Sequence, residues 1–195
     1  MGPRPIANDK GFGMYGLVNK AVQDLVCSRY GEETWRAIKR KANVDDGTFV
    51  SMEAYPDQVT YSLVGAASEV LGASPDDILK AFGEHWILYT AREGYGHLLQ
   101  MGGSSLLNFV QNLDNLHVRV GMSFHELRPP SFRCSDIEPG SVRLHYYSSR
   151  EGLGAMVIGL LHGLGKMFNT ELAIEHVAKR SEGAGHDEFL IRWNE

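Results

Sequence analysis

Cysteine is scarce in this chain: Cys27 and Cys134 are the only two in 195 residues. Two thiols so far apart exclude a disulfide-stapled scaffold and any all-cysteine metal site. Basic charge is short as well. Nineteen Lys and Arg against 24 Asp and Glu leave a net charge of −5. That excludes a general nucleic-acid binder, which needs clustered cations to neutralise phosphates. Long apolar runs are missing too. The most apolar stretch, Gly152 to Phe168, is interrupted by His162, Lys166 and four further glycines. It is too short and too broken to span a bilayer. No basic segment followed by an apolar one opens the chain, so no secretory leader is read. Free thiols without a leader predict a cytoplasmic protein, with neither membrane nor nucleic acid as a partner. Residues 1–13, rich in Gly and Pro, read as a flexible extension, and 14–195 as a single domain.

What is present begins as helices. Leu17, Val18, Ala21, Val22, Leu25 and Val26 form one stripe over Tyr15–Tyr30, and a shorter helix covers Glu32–Ala42. After Tyr55-Pro56, Asp57 is expected to cap a helix that stops at Gly72. Ser74-Pro75-Asp76-Asp77 reads as a hydroxyl cap, a first-turn proline and first-turn acids. Gly94–Met101 adds a short helix, and Ser104 is expected to cap another over Ser105–Val120. Arg128-Pro129-Pro130 then breaks the pattern. Strands are expected at Ser141–Ser149, Glu171–Lys179 and Glu188–Trp193, with a helix over Gly154–Phe168 and a hairpin loop at Ser181–Gly185. Helices followed mostly by strands predict an α+β fold with an antiparallel sheet.

Two patterns carry chemistry. Leu106, Val110, Leu113, His117 and Val120 step by 4, 3, 4 and 3 along one helical face. A histidine there is either a core residue satisfied by a hydrogen bond or a lone axial ligand to a heme iron. In the run Tyr146-Tyr147-Ser148-Ser149-Arg150, alternate residues share a strand face. Tyr146, Ser148 and Arg150 would then project together. They form either a solvent face or a positively charged donor cluster for carboxylates. Of the other histidines, His85, His97, His125 and His145 show no metal-ligand spacing with one another, and His176 and His186 read as surface groups. His162 and Lys166 read as one partly exposed helix face.

Together the residues carry a resemblance. Met14-Tyr15-Gly16, Leu113-Asp114-Asn115-Leu116-His117, Arg128-Pro129-Pro130-Ser131-Phe132 and the Tyr-x-Ser-x-Arg run at 146–150 resemble the H-NOX domain, which binds nitric oxide or oxygen at heme. The likeness extends to bacterial stand-alone sensors and to the heme domain of the soluble guanylate cyclase beta subunit. It implies heme b (protoporphyrin IX iron) held between the helical part and the sheet. It implies that His117 is the proximal iron ligand, that Tyr146, Ser148 and Arg150 grip the propionates, and that Pro130 and Leu17 press on the porphyrin. Trp86 and Met156, with Leu160 nearby, would line the distal side. Oxygen-holding relatives place a tyrosine where this chain has Met156, and a thioether donates no hydrogen bond.

The resemblance therefore implies a sensor of NO and CO that excludes O2 and signals through loss of the Fe–His117 bond. The alternatives are a heme domain cut from a soluble guanylate cyclase and a weak O2 sensor supported by the Trp86 indole. The domain is not expected to be an enzyme, since no distal acid–base pair for O–O cleavage is evident. A non-heme module that binds an acidic peptide or small carboxylate through Tyr146, Ser148 and Arg150 is the remaining class. The output would lie in a partner or fused effector, such as a histidine kinase, a diguanylate cyclase or a guanylate cyclase. Cys134 matches a cysteine of the cyclase relatives, with either a redox or a packing role.

Overall fold

A computed structural model describes residues 13–45, 47–90, 93, 96–123 and 128–194. Residues 1–12, His125 and the expected helix start at Gly94 lie outside the described residues. Gly13, counted with the extension, is the first residue of a strand.

The first half is helical. Strand β1 (Gly13–Tyr15) pairs antiparallel with β2 (Ala54–Pro56). Around this ribbon stand α1 (Gly16–Tyr30), α2 (Glu32–Lys41), α3 (Asp57–Leu71) and α4 (Pro75–Thr90). The apolar stripes meet in one core that contains Leu17, Ala21, Leu25, Ile38, Leu63 and Phe82. Ser74 accepts the Asp77 backbone N–H at 3.1 Å, as its cap position predicts. Asp57 does not cap α3. It is the first helical residue, and its carboxylate turns instead to Arg150.

The short α5 (Gly96–Gln100) leads to α6 (Leu106–Ser123). Ser105, rather than Ser104, caps α6, accepting the Asn108 N–H at 3.3 Å. Strands β3 (Ser131–Glu138), β4 (Ser141–Tyr147), β5 (Leu172–Ala178) and β6 (Asp187–Trp193) form an antiparallel sheet in the order β3-β4-β6-β5. Helix α7 (Gly154–Met167) is inserted between β4 and β5. Strand β3 escaped the sequence reading. Only Phe132 of its eight residues is fully buried, as befits an edge strand. A second core of Phe109, Val110, Leu144, Leu161, Phe189 and Ile191 fills the space between α6, α7 and the sheet.

Helices α4 and α7 lie backbone to backbone. A Cβ on Gly159 would stand 2.1 Å from the Lys80 carbonyl oxygen, and one on Gly83 would stand 2.2 Å from that of Met156. Only glycine allows so close an approach. No helix among the described residues is long and apolar enough to cross a membrane.

Candidate functional site

Between the two cores lies a cavity of about 300 Å³. Leu17, Trp86, His117, Pro130, Tyr146, Ser148, Arg150 and Met156 all line it, and so does Leu160. Eight residues chosen from separate stretches of sequence thus come to one place.

His117 stands in the α6 wall among Leu113, Leu116 and Val120. Its Nδ1 lies 2.9 Å from the Leu113 carbonyl oxygen, one turn back along the helix. A carbonyl only accepts, so Nδ1 carries the proton and Nε2 keeps its lone pair. Burial lowers the His117 pKa, and the Leu113 carbonyl and Asp114 only partly oppose that. The ring is thus neutral at pH 7, as a metal ligand must be. Phe132 stacks on it, with ring centroids 5.3 Å apart and planes 22° from parallel. Asp114 Oδ1 accepts the Phe132 backbone N–H at 3.0 Å, which ties α6 to the first turns of β3. That contact and the Ser131 hydroxyl hold the Asp114 carboxyl below its ordinary pKa.

At the rim the expected strand face is corrected. Strand β4 ends at Tyr147, and Ser148 and Arg150 lie in the bend that follows. The Ser148 hydroxyl accepts the Arg150 backbone N–H at 3.0 Å, a local bond that turns the chain out of the sheet. The three side chains reach the cavity all the same. Their expected positive charge is also balanced. The Arg150 side chain, 9% exposed, donates from Nε to Asp57 Oδ2 at 2.8 Å. It also donates to the Arg128 carbonyl at 3.0 Å. Asp57 is 93 residues away, and no local signal predicts the pair. Its Oδ1 is buried without a hydrogen-bond partner among the described residues.

The opposite wall is formed by α4 and α7. Trp86 packs against Phe82 and Tyr89, with ring centroids 6.1 and 6.5 Å away. Three hydroxyls missed by the sequence reading also line the cavity, and each gives its proton elsewhere. Thr60 donates to Asn19 Oδ1 at 2.7 Å, Tyr61 to the Glu151 carbonyl at 3.0 Å, and Thr90 to the Trp86 carbonyl at 2.7 Å. Cys134, half-buried, directs its thiol to the Val110 carbonyl at 3.8 Å, and burial raises its pKa. It packs α6 on the sheet and has no thiolate character at neutral pH.

Residues 15–176 match the family described as haem-NO-binding. The chain belongs to that family. Soluble guanylate cyclase gcy-34 of Caenorhabditis elegans is 31% identical over 165 residues, covering 83% of this chain and 24% of the relative. Guanylate cyclase soluble subunit beta-2 of Rattus norvegicus is 39% identical over 117 residues, covering 58% of this chain and 17% of the relative. The chain thus spans about a quarter of the first of these relatives. An H-NOX protein from S. oneidensis, solved in the Fe(II)NO ligation state, superposes with a TM-score of 0.84 at 23% identity. That match covers 93% of this chain and all of the other. The fold is therefore the H-NOX fold, and the chain is a heme-binding gas-sensor domain related to soluble guanylate cyclase.

The residues fit such a group. A flat apolar macrocycle needs an apolar slot, its iron needs a neutral imidazole with a free lone pair, and its carboxylates need donors at one edge. The cavity offers these as its apolar walls, as His117 Nε2, and as Tyr146, Ser148 and Arg150.

Proposed function

We propose that this domain senses nitric oxide and carbon monoxide at heme b and excludes O2. When bound, the heme supplies a ferrous iron at which diatomic gases bind. His117 Nε2 would hold it from the α6 side. Tyr146, Ser148 and Arg150 would hold the propionates, and Leu17 and Pro130 would pack against its faces. The α4–α7 wall, with Trp86 and Met156, would face the gas.

One observation carries the ligand preference: away from the rim of Tyr146, Ser148 and Arg150, the hydroxyls of Thr60, Tyr61 and Thr90 are already donated to protein acceptors, and Met156 has no proton to give. Bound O2 gains from a donor, whereas NO and CO depend on one far less. Among the described residues that line the α4–α7 wall, the Trp86 indole is the remaining donor, and it carries the second reading, a weak O2 sensor. Spectra of the ferrous protein under argon, air, CO and NO separate the two. NO and CO complexes without a stable oxy form support the proposal, and a stable oxy complex in air overturns it. Met156→Tyr, which restores a hydroxyl, is expected to gain that oxy complex.

His117 is the only side chain proposed to join α6 to the iron. Loss of that hold on NO binding would free α6, a two-state element biased by the ligand. In His117→Gly, amide exchange in α6 is expected to match the NO-bound native protein and to change little on adding NO. A full NO response in the variant would defeat the tether. The output belongs to an effector, either a partner or a fused domain. A guanylate cyclase is favoured by the relatives over a histidine kinase or a diguanylate cyclase.

A further inference from the structure

The opposite face of the sheet carries a second cluster. Side chains alternate along β4 and β6, so Leu144, Tyr146, Phe189 and Ile191 face the core. His145 and Glu188, cross-strand partners, face the other way. His186, just before β6, folds back over them. The sequence reading set His145 apart as lacking metal-ligand spacing and His186 as a surface group. Neither reading could show that the β4–β6 register brings these two histidines, 41 positions apart, together.

Three potential ligand atoms converge there. His145 Nδ1 lies 2.9 Å from His186 Nε2 and 3.6 Å from Glu188 Oε1, and His186 Nε2 lies 3.3 Å from the same oxygen. Zinc bonds of 2.0–2.1 Å in a tetrahedron place neighbouring donors about 3.3 Å apart. The triangle already has that size. Supporting contacts aim each donor. Ser135 Oγ lies 2.8 Å from His145 Nε2 and can accept its N–H, which leaves Nδ1 free to ligate. Arg143 holds the other Glu188 oxygen at 3.2 Å, so Oε1 remains available. The Tyr147 ring stacks on His186 at 4.3 Å.

We propose that His145, His186 and Glu188 form a site for a zinc-class divalent ion, separate from the heme cavity and on the reverse of the sheet. Two imidazoles and one carboxylate suit Zn²⁺. Ca²⁺ and Mg²⁺ call for six or more oxygens. Three protein ligands leave the fourth position to water. A bound ion pins the end of the β5–β6 connection to β4.

The test is calorimetric titration of Zn²⁺ into the heme-loaded protein in a non-chelating buffer. One ion per chain is expected, with affinity at least a hundredfold lower in His145→Ala and in His186→Ala. Ser135→Ala, which removes only the supporting contact, should weaken binding about tenfold. Glu188→Gln, which keeps size and an oxygen, serves if either alanine variant fails to fold. An unchanged Soret band shows in each case that the heme side is intact. No saturable binding by the native protein, or equal affinity in the His145→Ala/His186→Ala double variant, overturns the proposal.

Discussion

The two walls of the cavity are built on different principles. The wall of α4 and α7 is joined backbone to backbone through Gly83 and Gly159, with no side chain to yield between them. The wall of α6 rests on side chains, and those are concentrated at one end. Leu106, Phe109 and Val110 are buried at its start, while Val118 and Met122, further along, are 54% and 72% exposed. In the proposed function, the wall that selects the gas would gain from being rigid, because its chemistry would depend on where donors are missing. A wall that reports the gas must be able to move, and low local packing is where such motion is found. The proposed iron ligand sits on the half of α6 beyond the buried end.

The comparison breaks first at Gly159. A side chain there must displace α4 from α7, so Gly159→Val is expected to cost about 3 kcal/mol. In thermal unfolding that is a fall of roughly 6–12 °C. Asp57→Ala strikes the rim that joins the walls. It leaves the Arg150 guanidinium without its carboxylate and should cost about 2 kcal/mol, read in the same scan. Val118→Ala sharpens the contrast from the other side. On the outward face of α6 it should change stability by no more than about 0.5 kcal/mol. A loss there comparable to that at Gly159 would mean that α6 is fixed along its whole length.

Much of this was legible beforehand where the signal is local. The apolar stripe of α1, the Ser74 cap of α4 and the position of His117 all follow from spacings of three or four residues. Of the eight cavity residues, His117, Tyr146, Ser148 and Arg150 were marked by spacing and Leu17, Trp86, Pro130 and Met156 by a family likeness, and the fold brings all eight together. What escaped notice depended on distance. Strand β3 lies at the sheet edge with little apolar alternation to betray it. The three residues each of β1 and β2 are too few to show a period. Asp57 and Arg150 meet only because α3 packs beside the bend after β4. His145, His186 and Glu188 meet only through sheet register. The bend at Ser148 was missed for another reason: a hydroxyl bonded to the backbone two residues on competes with the strand, and composition does not show which wins.

Asp114 has a consequence of its own. Its carboxylate holds the first rungs of β3, three residues along α6 from His117. Helix and strand are thereby geared together, so α6 is not expected to swing alone. A small rotation at the iron would turn the sheet's edge, and a change that begins inside the cavity would emerge as a new surface shape for an effector to read.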